Sequence, residues 1–219
     1  MKKVLFLLLA GFLSFGSAQA IDLSVGVGAN QSVFAATGKE YNCNESGAGC
    51  KSLDEYGAFE ESYPSVFVEA GLNEFLSFGI SYQGSFDTPT NVVDQGPNGS
   101  TNRTSVSAEF DQFFTGYVKL NIPLGGLYMK AGLSQVEIKT NETTESGTSY
   151  PDTDLTGHIV GIGYEVETEA GINVRLEIQG HAFGDVTVNN GKSKGANYNE
   201  ITISDMVGAT GSLQLVKTF

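Results

Sequence analysis

The sequence predicts an all-β fold in which eight antiparallel strands run up and down and close into a transmembrane β-barrel. Three observations lead there. After residue 20, apolar residues repeat with a period of two over segments of roughly ten residues, the length of a tilted membrane-crossing strand. No stretch approaches the ~20 apolar residues of a membrane helix. The connections alternate between short and long, as the turns and loops of such barrels do.

The first strand carries Ile21, Leu23, Val25, Val27 and Ala29 on one face, and the second carries Val66, Val68, Ala70 and Leu72. The third, LSFGISYQGSF, is the cleanest. Leu76, Phe78, Ile80, Tyr82 and Phe86 share a face opposite Ser77, Gly79, Ser81, Gln83 and Ser85. The fourth spans 105–121, with Val106, Ala108, Phe110, Phe114, Val118 and Leu120 facing one way and Ser107, Glu109, Asp111, Thr115 and Lys119 the other. Leu127, Met129, Ala131 and Leu133 mark the fifth strand, and Val160, Ile162, Tyr164 and Val166 the sixth. The seventh sets Ile172, Val174, Leu176 and Ile178 against Asn173, Arg175, Glu177 and Gln179. The eighth aligns Ile201, Ile203, Val207, Ala209, Leu213, Leu215 and Phe219.

Short connections fall near Asn73-Glu74, at 123–126 and at 167–170, and long ones at 38–62, 87–103, 140–153 and 184–198. The long segments are rich in Asn, Ser, Thr, Gly and acidic residues, as solvated loops are. Pro89, Pro97, Pro123 and Pro151 lie in connections, and Pro64 sits at a strand start, where a missing ladder donor is tolerated. Asn-x-Ser/Thr matches begin at Asn44, Asn98, Asn102 and Asn141. In a bacterium they are products of loop composition; in a eukaryotic secreted protein they are glycan sites.

Lys2 and Lys3, an apolar run at 4–15 and Ala18-Gln19-Ala20 compose a secretory signal peptide over residues 1–20, leaving a single domain at 21–219. Without Lys2 and Lys3 the chain keeps 10 basic against 25 acidic residues, a formal charge of −15. That balance excludes a phosphate backbone, and with it nucleic acid, as a partner. In an oxidising compartment Cys43 and Cys50, in CNESGAGC, read most simply as a loop disulfide. Metal binding is the alternative, although two thiols without a nearby histidine make half a zinc site.

A soluble barrel, apolar inside and wet outside, has the same alternation. Against it, the polar face carries both signs, Glu69, Glu109, Asp111, Lys119, Lys130, Arg175 and Glu177, which can pair across a narrow lumen as a charge network. The chain also ends on Phe219, with Leu213 and Leu215 on the same face. This resembles the carboxyl-terminal signal of outer-membrane barrels, from which Lys217 departs; a lysine there can snorkel from the bilayer edge. With eight strands and four long loops, the whole mature chain resembles the small barrels of the OmpA, OmpX and opacity-protein superfamily. The resemblance implies a Gram-negative outer membrane, with its lipid and lipopolysaccharide as surroundings. It also implies an assembly machinery that reads Phe219, and a structural, adhesive or protective role through loops that meet an external partner.

Chemistry is sparse. His158 is expected on the lipid side and His181 inside, and no serine stands beside either at a recognisable spacing, so no catalytic residue is expected. Glycines in GVGAN and VGIGY do not complete a phosphate-binding motif and read as strand glycines that let a small barrel curve. Asp152 with Asp154, and Glu60 with Glu61, lack a twelve-residue calcium loop. No cofactor or metal is expected. Two functions remain: a loop-presenting structural or adhesive barrel, or a narrow channel or carrier for small molecules. Eight strands leave an interior that side chains just fill, which favours the first.

Overall fold

The computed structural model describes the backbone of residues 21–43, 49–88, 91–94, 103–143 and 149–219. Residues 1–20, the expected signal peptide, and Asn44, Asn98, Asn102, Pro89 and Pro97 lie outside the described residues. The strands are β1 (Asp22–Cys43), β2 (Cys50–Gly71), β3 (Leu76–Gln83), β4 (Phe86–Asp87), β5 (Asn91–Asp94), β6 (Arg103–Asn121), β7 (Leu127–Thr143), β8 (Thr153–Glu167), β9 (Asn173–Phe183), β10 (Val186–Asn189) and β11 (Asn199–Thr218). Eight of these form an antiparallel ring, β1-β2-β3-β6-β7-β8-β9-β11. It closes where β11 pairs back onto β1, from Ser24 opposite Thr218 to Asn42 opposite Asn199. The short strands β4 and β5 continue along β6 above β3, and β10 pairs with β11 above β9.

One end of the barrel is built from tight turns. Asn73 Oδ1 accepts the N–H groups of Phe75 and Leu76, both at 2.9 Å, which turns β2 into β3. Between β6 and β7, Gly125 and Gly126 adopt positive φ, and a Cβ on Gly126 would stand 2.2 Å from the Glu165 carbonyl oxygen. The other end is longer than the sequence suggests. The expected loop at 38–62 is largely strand, because β1 and β2 pair without a break from Asp22–Gly71 to Cys43–Cys50, and β7 continues into the expected loop at 140–153 as far as Thr143. Pro64 therefore lies within β2 and not at a strand start. Its missing N–H falls on the side facing β3, where Gly84 N–H donates to the Pro64 carbonyl at 2.8 Å.

Polarity inverts along the barrel axis. Toward the turn end, Val25, Val68, Met129, Ile162, Leu176 and Leu213 face outward, while Glu69, Ser81, Lys130, Arg175 and Gln214 are buried inside. Toward the hairpin end, Phe34, Phe86, Phe110, Val136, Ile138 and Leu155 are buried in one cluster. Their strand neighbours there are Glu109, Asp111, Glu137, Lys139 and Asp154. The lower part is organised for lipid outside; the upper part is organised for water outside.

In β7 and β8 this inversion follows from sequence alone, since Leu133 precedes Gln135 and Glu137 on the outer face while Val136 and Ile138 line the inner one. Three irregularities complete it elsewhere. A bulge shifts register between Asp111 and Phe114, with Gln112 at φ 48. A second accompanies Asp205, at φ 53, where β11 slips against Ala35 and Thr37. Residues 84–85 interrupt the strand between β3 and β4. One extra residue exchanges the faces of everything beyond it. Phe86, Phe110 and Ala108 consequently point inward, not outward with Tyr82 and Phe114 as the alternation suggested. Ile203 pairs with Gly38 and Ile201 with Glu40, so both sit on the inner side of β1, not on the face of Val207.

Candidate functional site

Two features set this barrel apart: what fills its lumen, and the hairpin that projects from it. In the lower lumen, Arg175 on β9 is 2% exposed and donates from Nη1 and Nη2 to the two oxygens of Glu69 on β2, at 2.7 and 2.6 Å. Its Nε donates to Glu165 on β8 at 2.7 Å. Lys119 on β6 stands 3.2 Å from both Glu69 and Glu165. Lys130 on β7 donates to Glu177 at 3.0 Å. The hydroxyls of Tyr117 and Tyr128 donate to Glu69 and Glu177 at 2.9 and 2.7 Å. Three cations thus meet three carboxylates, and the network is formally neutral. Buried charges are tolerable only under such mutual satisfaction.

Of the seven charges expected in the lumen, Glu69, Lys119, Lys130, Arg175 and Glu177 are brought together there. Glu109 and Asp111 are not; the bulge at Gln112 turns them outward, and Asp111 pairs with Lys139 at the hairpin end. That bond from Lys139 holds the Asp111 carboxyl below its ordinary range. Glu165 was missed. It continues the inward set Gly161 and Gly163 on β8, but two glycines carry no polar signal from which to extend the face.

The rings that share the lumen follow a rule. Each of Phe67, Tyr117, Tyr128, Phe183 and Phe34 lies directly opposite a glycine on the neighbouring strand: Gly26, Gly79, Gly163, Gly157 and Gly208. A Cβ built on any of these glycines would stand between 2.1 and 2.6 Å from the ring. Gly26 and Gly163, read from the sequence as curvature residues, form with Gly79, Gly157 and Gly208 the floor on which inward rings lie flat, the arrangement known as aromatic rescue.

Above the ion pairs lies a hydroxyl layer. Ser32 Oγ is 2.7 Å from the Tyr63 hydroxyl and 2.6 Å from Thr210 Oγ1, and Thr210 Oγ1 is 2.8 Å from His181 Nε2. His181 is buried against Phe34, Phe113 and Phe183, while His158 faces outward. Over this layer, Phe34, Phe86 and Phe110 stack with ring centroids 5.0 to 6.5 Å apart, and Tyr63 stacks on Phe86 at 4.9 Å. The lumen is therefore filled at three levels. A cleft of about 350 Å³ opens beneath them, at the turn end, lined by Asp22, Asn173 and the network residues Glu69, Lys119, Glu165 and Arg175. Among the described residues no group of three or more His, Cys, Asp or Glu is placed to hold a metal ion.

The second feature is the β1–β2 hairpin, closed by the Cys43–Cys50 disulfide between directly opposed residues 3.9 Å apart at Cα. From Ala35 to Cys43 its strand continues for about 27 Å of strand length beyond the apolar belt at the usual rise per residue. Residues 51–58 are exposed on both faces, Tyr56 to 85% and Leu53 to 56%.

Comparison with known proteins agrees with this architecture. The solved structure of OprG from Pseudomonas aeruginosa superposes with a TM-score of 0.50 at 14% identity, over 87% of this chain and 95% of that one. Neisserial surface protein A gives a TM-score of 0.39 at 10% identity over 86% and 97%. The outer membrane protease OmpT of Escherichia coli gives 0.42 at 8% identity over 90% and 97%. No curated protein sequence matches significantly. The family model described as outer membrane protein beta-barrel domain matches residues 5–206, and the chain, an outer-membrane β-barrel, belongs to that family.

Proposed function

We propose that this protein is a non-conducting outer-membrane barrel whose role is carried by the hairpins it displays outside the cell. The observation that carries the reading is the lumen, filled by a neutral ion-pair network, a hydroxyl layer and an aromatic plug. By the rule that periplasmic turns are short and external segments long, the turn end faces the periplasm and the hairpin end the exterior. Export uses the signal peptide at 1–20, and Phe219 is the residue that the barrel-assembly machinery reads. Lipid and lipopolysaccharide surround the belt. No catalysis belongs to this reading, since the His181–Thr210–Ser32–Tyr63 chain is enclosed by phenylalanine rings. Reconstitution into planar bilayers tests it: only baseline current is expected, and steady open-channel currents would replace it with the narrow-channel function.

A further inference from the structure

We infer that the outer edge of β2, over residues 51–62, is a docking edge for an extended basic peptide segment of a partner, which adds to the β1–β2 hairpin as a third strand. The inference deepens the proposed display function and rests on it. β1 pairs along the whole of β2, but β3 pairs with β2 only from Ser65 to Gly71. Among the described residues no strand hydrogen-bonds to 51–62 on that second side; β4 comes near only the lower end of this stretch, where Phe86 stacks on Tyr63. A strand alternates the direction of its N–H and C=O groups residue by residue. Because the Pro64 carbonyl points to the β3 side, so do the backbone groups of Ser52, Asp54, Tyr56, Ala58, Glu60 and Ser62. A row of unpaired groups of this kind is a template for strand addition.

Charge selects the occupant. The edge carries Asp54, Glu55, Glu60 and Glu61 against Lys51 alone. A second copy would bring the same acids opposite these, and like charges facing across strands destabilise the pair. A basic segment gains from all four. Between the two acidic pairs lie Tyr56, Gly57, Ala58 and Phe59, with Leu53 exposed beyond them, so the matching segment has basic pairs flanking a β-branched centre. The Cys43–Cys50 bridge and the unbroken register fix the edge in advance, which lowers the ordering entropy of binding.

The test uses the full mature chain in detergent micelles, with folding checked by heat-modifiable gel mobility. The probe is the peptide Lys-Lys-Val-Thr-Val-Thr-Lys-Lys. Two further forms carry backbone N-methyl groups on odd or on even residues, so that one form blocks the docked edge and the other only the solvent edge. The unmodified peptide is expected to bind, and one methylated form alone to lose binding. Ala58→Pro removes a donor only on the free side, as Pro64 already does, and should weaken binding roughly tenfold without unfolding the barrel. Asp54→Lys with Glu60→Lys should transfer the preference to the Glu-for-Lys peptide. Equal binding of both methylated forms would show adsorption by charge only and overturn the inference. So would no binding to a folded, non-conducting barrel, which leaves the display function standing; steady conductance is the result that removes that function instead.

Discussion

Replacing Arg175 should expose the logic of the lower lumen. In Arg175→Met the stem remains but the guanidinium leaves, and with it both bonds to Glu69 and the bond to Glu165. The network, neutral with three charges of each sign, becomes anionic by one. Removing one partner of a buried pair costs about 3 to 5 kcal/mol. Lys119, 3.2 Å from both stranded carboxylates, and Tyr117, 2.9 Å from Glu69, soften the loss, so the lower end, about 3 kcal/mol, is expected. Glu69→Gln alone leaves a surplus cation and should destabilise by a similar amount. Together the two substitutions restore neutrality, so the double variant should be more stable than the sum of the singles by at least about 2 kcal/mol. Because the chain has no tryptophan, urea unfolding from lipid vesicles is best followed by gel mobility and circular dichroism. Additive singles, with coupling below about 0.5 kcal/mol, would refute the idea that these groups balance one another.

Other outcomes follow from the same geometry. Gly163→Ala places a Cβ 2.3 Å from Cζ of Tyr128 and should lower stability by about 1 to 3 kcal/mol, as overpacking does, in the same unfolding assay. Deleting Phe219, which is 75% exposed, should sharply reduce folded protein in the outer membrane of cells while leaving refolding in micelles intact; equal membrane levels would argue against its role in assembly. Since Lys139 holds the Asp111 carboxyl below its ordinary range, that pair contributes stability above the unfolded carboxylate value, and the contribution is lost as pH falls through the lowered one. Hydrogen exchange in the upper parts of β6 and β7 should therefore quicken in acid, and Lys139→Ala should abolish the extra acid sensitivity; the pair is partly exposed and screened by solvent, so the effect is small.

The ring of eight strands was legible because a bilayer imposes the same alternation on every strand that crosses it. Leu76, Phe78 and Ile80 against Ser77 and Ser81, or Leu176 and Ile178 against Arg175 and Glu177, admit one register only. What was not legible lies beyond the belt. Nothing local in Asp111-Gln112-Phe113 announces a bulge, and its parity change carried Glu109 and Asp111 out of the lumen and Phe110 into it. The hairpin was read as loop for a related reason. Where both faces of a sheet meet water, as at 51–58, no alternation is required, and a strand has the composition of a coil. Glu165 was hidden by the small residues that leave room for rings and charges beside it.

The inversion of polarity gives the molecule a waterline. Apolar-out and polar-out segments adjoin within a residue or two on each strand, so a shift of one residue pair along the membrane normal, about 5 Å for a strand tilted near 40°, is resisted in both directions. Sinking would draw Gln112, Gln135 and Asp154 into hydrocarbon; rising would lift Phe114, Leu133 and Val207 into the external water. A barrel so marked does not adapt to its bilayer by sliding. Lipids around it must stretch or thin to meet the mark, at a fraction of a kcal/mol per Å of mismatch, and the protein should therefore collect where the membrane already has the thickness written on its surface.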